Sequence, residues 1–89
     1  MAFTILLVDD DRDLLPSMAA LLRELSDFQV VTAENGAQGL EQVFVARPDC
    51  IIIDVRMPEL NGYQLVQSLR GDPETEQIPL IILSALVTE

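Results

Sequence analysis

The sequence predicts an α/β fold in which a doubly wound parallel sheet lies between two layers of helices. Short apolar runs without polar alternation recur along the chain, as is typical of parallel strands covered on both faces. Between these runs, apolar residues fall at helical spacing. Such strand–helix alternation favours one parallel sheet with right-handed crossovers, and 89 residues suffice for one domain but not for two.

The first half of the chain holds two predicted strand–helix units. Residues 3–8 form an apolar run and the first strand, and a helix over residues 13–25 follows, with Asp13 as its N-cap. Pro16 is then in the first turn, where proline is tolerated. The second strand covers residues 29–33. The second helix covers residues 37–46 and ends before Pro48, because the residue preceding a proline disfavours the helical conformation.

Two more strands and one helix are predicted in the second half. Residues 50–54 form the third strand, and residues 63–70 form the third helix, which Gly71 ends. A polar loop over residues 72–79 leads to the fourth strand, the apolar residues 80–83.

Composition and charge exclude several classes of function. Fifteen acidic residues face five basic ones, all arginines, which gives a net charge of −10 that would repel nucleic acid and anionic membranes. The chain has no histidine to activate a serine or its single cysteine, Cys50, so a hydrolase of that type is excluded. The lone thiol, the lack of a signal peptide and the lack of an apolar run of about 20 residues indicate a cytoplasmic protein.

Acidic side chains follow the predicted strands at their carboxyl ends, where open α/β sheets bind ligands. Asp9, Asp10 and Asp11 follow the first strand, Asp54 ends the third, and Ser84 follows the fourth. In the flavodoxin-like strand order, 2-1-3-4, the first and third strands are neighbours about 4.8 Å apart, so Asp9 or Asp10 meets Asp54. Carboxylates, a backbone carbonyl and water are the usual ligands of Mg²⁺, which predicts a magnesium site at this edge.

Each of these residues also has a simpler interpretation when it is taken alone. Asp10 or Asp11 is a common type of helix N-cap, and Asp54 or Ser84 can start a turn. Glu34, after the second strand, is interpreted as a solvated loop residue. A phosphate-binding nucleotide loop is excluded, since that turn needs glycines and reads VDDDRD here. The combination of acids at neighbouring strand ends is the stronger signal.

Three stretches resemble the receiver domain of two-component response regulators, and the resemblance covers the whole chain. They read ILLVDDD over residues 5–11, IIIDVRMPELNGYQL over residues 51–65 and IPLIILSA over residues 78–85. An acidic pair followed two strand–helix units later by D-x-x-M-P-x-x-[ND]-G is the specific part of the match.

The resemblance implies a role for each matching position. Asp54 matches the aspartate that accepts a phosphoryl group from a kinase phosphohistidine. Asp10 matches the direct Mg²⁺ ligand, Asp9 a ligand acting largely through water, and Arg56 the residue whose backbone carbonyl completes the metal site. Ser84 matches the hydroxyl that turns toward the phosphoryl group on activation. The remaining matches are positions that shape the loop or leave room for that hydroxyl: Met57, Pro58, Gly62 and Ala85.

The chain departs from the family pattern at its C-terminal end. Receiver domains have five strand–helix units, whereas this sequence ends just past the fourth strand, so a single receiver domain over residues 1–89, incomplete at the C-terminus, is expected. Strand five, its phosphate-contacting lysine and the last helix are then missing. The unpaired fourth strand should favour homo-oligomers.

The resemblance implies a phosphorelay switch with a histidine kinase or phosphotransfer protein as donor and an output domain or partner beyond Glu89. No direct contact with nucleic acid or membrane is expected. Two alternatives remain. One is a pseudo-receiver that binds proteins without being phosphorylated. The other is a Mg²⁺-dependent phosphohydrolase, for which Asp9 and Asp11 have the expected spacing.

Overall fold

The computed structural model describes residues 3–54 and 61–83, and for Asn61 and Gly62 it describes the backbone only. The elements alternate between strand and helix along the chain. They are β1 (Thr4–Val8), α1 (Leu14–Leu25), β2 (Gln29–Ala33), α2 (Gly36–Ala46), β3 (Cys50–Asp54), α3 (Asn61–Arg70) and β4 (Leu80–Leu83). The predicted number and sequence of elements are confirmed.

The strands form one parallel sheet in the order β2-β1-β3-β4, as predicted. Val8 is the last residue of β1 that pairs on both sides, with Ala33 of β2 and with Ile53 of β3. Asp54, at the end of β3, pairs with Leu83 of β4. The carboxyl ends of all four strands therefore meet at one edge of the sheet.

Helices cover the two faces of the sheet unequally. Under α2 and α3 lies the larger apolar cluster, which contains Leu6, Val8, Ala33, Val43, Ile51, Ile53, Leu65 and Leu69. Under α1 lies a smaller cluster of Leu7, Leu15, Ala19 and Val30. The residues of β1 divide between the two clusters in alternation, since successive side chains of a strand point to opposite faces. This division confirms that both faces of the sheet are apolar.

The helix ends differ from the predictions in detail. Asp13 occupies the N-cap position of α1 as predicted, but its side chain makes no capping bond. Helices α2 and α3 begin one and two residues earlier than predicted, at Gly36 and Asn61. Apolar spacing misses these first residues because Gly36, Asn61 and Gly62 carry no apolar side chain. Pro16 lies in the first turn of α1, and α3 ends at Arg70 before Gly71, both as predicted.

Candidate functional site

Two buried carboxylates mark the carboxyl edge of the sheet. Asp9 directly follows Val8 in β1, and Asp54 directly follows Ile53, the β3 partner of Val8. The two aspartates thus occupy equivalent positions on neighbouring strands, with exposed fractions of 2% and 3%. Aspartate is rarely buried unless it is paired, hydrogen-bonded or bound to a metal, because burying its charge otherwise costs free energy.

The backbone fixes Asp9 in this position. Its N–H donates to the carbonyl of Ala33 at 3.0 Å, which extends the pairing of β1 with β2 by one step. Its Oδ1 atom accepts a hydrogen bond from the N–H of Asp11 at 3.0 Å. The carboxylate therefore shapes the turn after β1 while it stays at the edge of the sheet.

Asp10 and Asp11 are both exposed, but their surroundings differ. The Oδ1 atom of Asp11 accepts from the N–H groups of Asp13 and Leu14, each at 3.0 Å. These are donors that a helix leaves unsatisfied at its N-terminus, so Asp11 is the true capping side chain of α1. The hypothesis that Asp11 is a cap is confirmed. Asp10 directly follows the buried Asp9 in sequence and is exposed to solvent.

Glu34 is not simply a solvated loop residue. Its Oε1 atom lies 3.2 Å from the Nε atom of Arg12, so an ion pair joins the loop after β1 to the loop after β2. Sequence reasoning missed Arg12, although the arginine stands directly after the three aspartates. The sequence does not show that residues 12 and 34 lie close together in the folded chain.

Several expected site residues lie outside the described part of the chain. These are Arg56, Met57, Pro58, Ser84 and Ala85, while Gly62 is the second residue of α3 and not a loop residue. Within residues 3–54 and 61–83, no three acidic or thiol side chains come close enough to hold a metal ion by themselves. The structure places Asp9 and Asp54 at equivalent ends of neighbouring strands and leaves Asp10 exposed to solvent. The oxygen donors suit a hard cation such as Mg²⁺, with water and a backbone carbonyl as further ligands.

Cys50 lies at the amino end of β3, away from the acidic edge. Its side chain is buried, and burial raises the pKa of the thiol above its usual range, while a hydrogen bond with the backbone of Ile51 lowers it by less. A thiol with a raised pKa carries little thiolate at neutral pH and is a poor nucleophile. This agrees with the expectation from the sequence that Cys50 is not a catalytic nucleophile.

Comparison with known proteins identifies the family. The profile of the response regulator receiver domain matches residues 5–89, and the chain belongs to this family. The transcriptional regulatory protein PrrA of Mycobacterium tuberculosis is 43% identical over 81 residues, which are 91% of this chain and 34% of PrrA. Protein PilH of Pseudomonas aeruginosa is 40% identical over 80 residues, which are 90% of this chain and 65% of PilH. The chain thus spans about a third of PrrA and just under two thirds of PilH.

Solved structures agree with this assignment. The N-terminal domain of a response regulator receiver protein from Methanoculleus marisnigri JR1 superposes with a TM-score of 0.89 and 27% identity, covering 100% of this chain and 72% of that domain. The chemotaxis protein CheY4 of Vibrio cholerae superposes with a TM-score of 0.88 and 27% identity, covering 99% and 72%. The sheet order and helix placement are therefore those of receiver domains. None of the described helices is long and apolar enough to cross a membrane.

Proposed function

We propose that this chain accepts a phosphoryl group on Asp54 from the phosphohistidine of a histidine kinase or phosphotransfer protein. The observation that carries the proposal is the position of Asp54, buried at the end of β3 and level with Asp9 on β1. A receiver domain that works in this way is a signalling switch and not a turnover enzyme. Its soluble fold and acidic surface suit a cytoplasmic location.

The proposed reaction is a displacement at phosphorus. A carboxylate oxygen of Asp54 attacks, the P–N bond to the donor histidine breaks, and the imidazole keeps the electron pair and takes up a proton. Asp10 and Asp54, the backbone carbonyl of Arg56, and Asp9 through water are the proposed ligands of Mg²⁺. Bound Mg²⁺ would neutralise the charge of the incoming phosphoryl group. Asp9 then has a positioning function as well, because it holds the turn that carries Asp10.

The proposed switch passes through β4. Asp54 pairs with Leu83, and Ser84 is the next residue in sequence. A hydroxyl at that position can donate a hydrogen bond to a phosphoryl oxygen on Asp54, and Ala85 leaves room for its rotation. Phosphorylation would thus shift the end of β4. The surface around β4 would then differ between the phosphorylated and unphosphorylated chain, and an output domain or a partner protein would bind one of these two states.

One observation weighs against the phosphohydrolase alternative. That mechanism uses Asp9 as the nucleophile and Asp11 as the second acid, two residues later. The carboxylate of Asp11 already accepts hydrogen bonds from the N–H groups of Asp13 and Leu14 and caps α1. Asp11 is therefore engaged in holding the helix.

Asp54→Asn tests the phosphoacceptor directly. We expect the variant to lose all labelling by a small phosphodonor or a kinase and to keep its fold, because the amide has the size of the carboxylate but is a poor nucleophile. Circular dichroism provides the folding control, and the parent chain is the reference for labelling. Undiminished labelling of the folded Asn variant would refute the role of Asp54. A parent chain that neither binds Mg²⁺ nor becomes phosphorylated would instead favour the pseudo-receiver alternative.

A pair of substitutions in the turn after β1 tests the metal ligands. We expect Asp10→Ala to weaken Mg²⁺ binding at least tenfold and Asp11→Ala to change it little, because the first removes a proposed ligand and the second a helix cap. Asp11→Ala should instead lower the free energy of unfolding by about 1 kcal/mol. Magnesium titration monitored by NMR measures the affinity, and urea unfolding measures the stability. Equal losses of affinity in both variants would show that the assignment is wrong by one residue.

We propose in addition that two copies of the 89-residue chain associate through β4. Ile81, Ile82 and Leu83 have exposed fractions of 48%, 47% and 40%, and no described residue pairs with the outer side of this strand. An apolar edge of this kind favours pairing with another strand. Four residues give a small interface, so the association should be weak and should depend on concentration.

A further inference from the structure

The ion pair between Arg12 and Glu34 lies beside the proposed magnesium ligands. Its Nε and Oε1 atoms are 3.2 Å apart, and the two side chains are 80% and 41% exposed. Arg12 belongs to the turn that carries Asp9, Asp10 and Asp11, whereas Glu34 belongs to the loop after β2. The pair therefore joins a positive charge of the acidic turn to the loop after β2.

Glu34 is the partner whose backbone is held in place by hydrogen bonds. Its N–H donates to the Oε1 atom of Gln38 at 2.9 Å, and the N–H of Gln38 donates to the Oδ1 atom of Asn35 at 2.8 Å. These two bonds resemble a capping box, except that the Gln38 side chain accepts from the N–H of Glu34 and not from that of the N-cap residue Asn35, and they hold the backbone of Glu34 in place. Arg12 is the mobile partner, since a long and largely exposed arginine side chain has many rotamers of similar energy.

Arg12 is the only base at the carboxyl edge within residues 3–54 and 61–83. Arg23 and Arg70 lie in the last turns of α1 and α3, and Arg47 is the C-cap of α2. Helices that connect parallel strands run antiparallel to them, so these three arginines lie toward the opposite edge of the sheet. A guanidinium near aspartates competes directly with a divalent cation for the same oxygen atoms.

We propose that Glu34 is a positioning residue that holds the Arg12 guanidinium away from the acidic turn and so keeps the aspartates available to Mg²⁺. Asp10 is exposed and stands only two residues before Arg12. Without Glu34, Arg12 turns back to this carboxylate and must be displaced when the cation binds. The inference depends on the proposed magnesium site and adds to it a residue that regulates its affinity.

A double-mutant cycle on Arg12 and Glu34 tests the inference. Magnesium affinity is measured by calorimetry at low ionic strength in the parent chain, Glu34→Gln, Arg12→Gln and the double variant. An exposed ion pair of ordinary strength predicts a loss of about twofold to fivefold in Glu34→Gln. Adding Arg12→Gln should abolish this loss, so that the double variant binds Mg²⁺ as tightly as Arg12→Gln alone.

Matched variants separate this effect from the general loss of charge. Glu24→Gln and Arg47→Gln make the same charge changes at exposed positions far from the edge and should leave the affinity within about 1.5-fold of the parent value, since salt screens distant exposed charges. NMR of the Arg12 Nε–H group gives a second measurement. Its signal should be insensitive to Mg²⁺ in the parent chain and should shift on Mg²⁺ addition in Glu34→Gln, because the cation then displaces the guanidinium.

The outcomes distinguish failure of this inference from failure of the proposed function. A parent chain that binds no Mg²⁺ would remove the proposed metal site and this inference with it. A parent chain that binds Mg²⁺ while Glu34→Gln causes the same loss with and without Arg12 would overturn only the inference. In that case Glu34 acts by its own charge. An unchanged affinity in Glu34→Gln would overturn the inference as well.

Discussion

The two edge strands of the sheet, β2 and β4, are built in opposite ways. In β2, the exposed residues Gln29 and Thr32 are polar and lie on opposite faces of the sheet, as do the buried residues Val30 and Ala33. In β4, three of four residues are exposed aliphatic side chains and none carries a charge. The sequence of β2 is typical of an edge strand, whereas that of β4 is typical of a strand with neighbours on both sides.

Side chains also close the outer side of β2. Backbone groups of Gln29 and Ala33 bond toward β1, so the intervening carbonyl of Val30 faces outward. The guanidinium of Arg23 donates to this carbonyl at 2.9 Å. Among the described residues, β4 has no equivalent. The strand β2 thus combines exposed polar side chains with a satisfied outer carbonyl group, and the described part of β4 has neither.

The largest expected effect comes from placing a charge on β4. Ile81→Lys should convert a chain that associates with increasing concentration into a monomer, because two lysines would face each other across the strand pair. Light scattering over a concentration series measures the change. Val45→Lys is the matched control, since Val45 is 70% exposed on α2 and lies outside the sheet. A parent chain that stays monomeric at high concentration, with protected amides along Leu80–Leu83, would show that the edge is already covered.

A smaller effect is expected from the loop that leads into β4. Thr75 is 3% exposed, and its hydroxyl donates to the carbonyl of Leu69 at 2.6 Å, near the end of α3. The Arg70 guanidinium donates to the carbonyls of Glu76 and Ile78 in the same loop. Hydrogen bonds from side chains thus fix this loop, although no described residue pairs with the outer side of β4.

Thr75→Val should lower the free energy of unfolding by about 1–2 kcal/mol, because it keeps the shape and leaves a buried carbonyl unsatisfied. Urea unfolding gives the value, and Thr75→Ser, which keeps the hydroxyl, should retain most of the stability. The association of the chain should not change in either variant. Increased association in Thr75→Val would show that the loop and the β4 edge are coupled, contrary to the comparison.

The smallest effect is expected on the β2 side. Arg23→Ala removes the donor to the Val30 carbonyl and should cost about 0.5–1 kcal/mol of stability, since water can replace a bond at this partly exposed site. Association should increase only slightly, because Gln29 and Thr32 remain polar. Glu24→Ala on the same helix is the control for helix propensity in urea unfolding and light scattering. A strong increase in association would show that Arg23 alone keeps β2 unpaired.

The sequence by itself determined the alternation of elements, the burial of the central strands and the acidic edge. Runs such as residues 51–53 are apolar at every position, and only a strand covered on both faces requires that pattern. The equivalent positions of Asp9 and Asp54 at neighbouring strand ends followed from strand order and a regular register. The resemblance to receiver domains rested on residues adjacent in sequence, which is why it could be recognised from the sequence.

Only the tertiary structure decided which side chains satisfy which partners. The side chain of Asp11, and not that of the N-cap residue Asp13, makes the capping bonds of α1, because these bonds depend on the path of the turn that Asp9 shapes through its bond to the Asp11 N–H. Arg12 meets Glu34 across two loops, and Arg23 reaches the outer carbonyl of β2. Such contacts depend on distances between segments far apart in sequence, and apolar periodicity contains no information about where a polar side chain finds its partner.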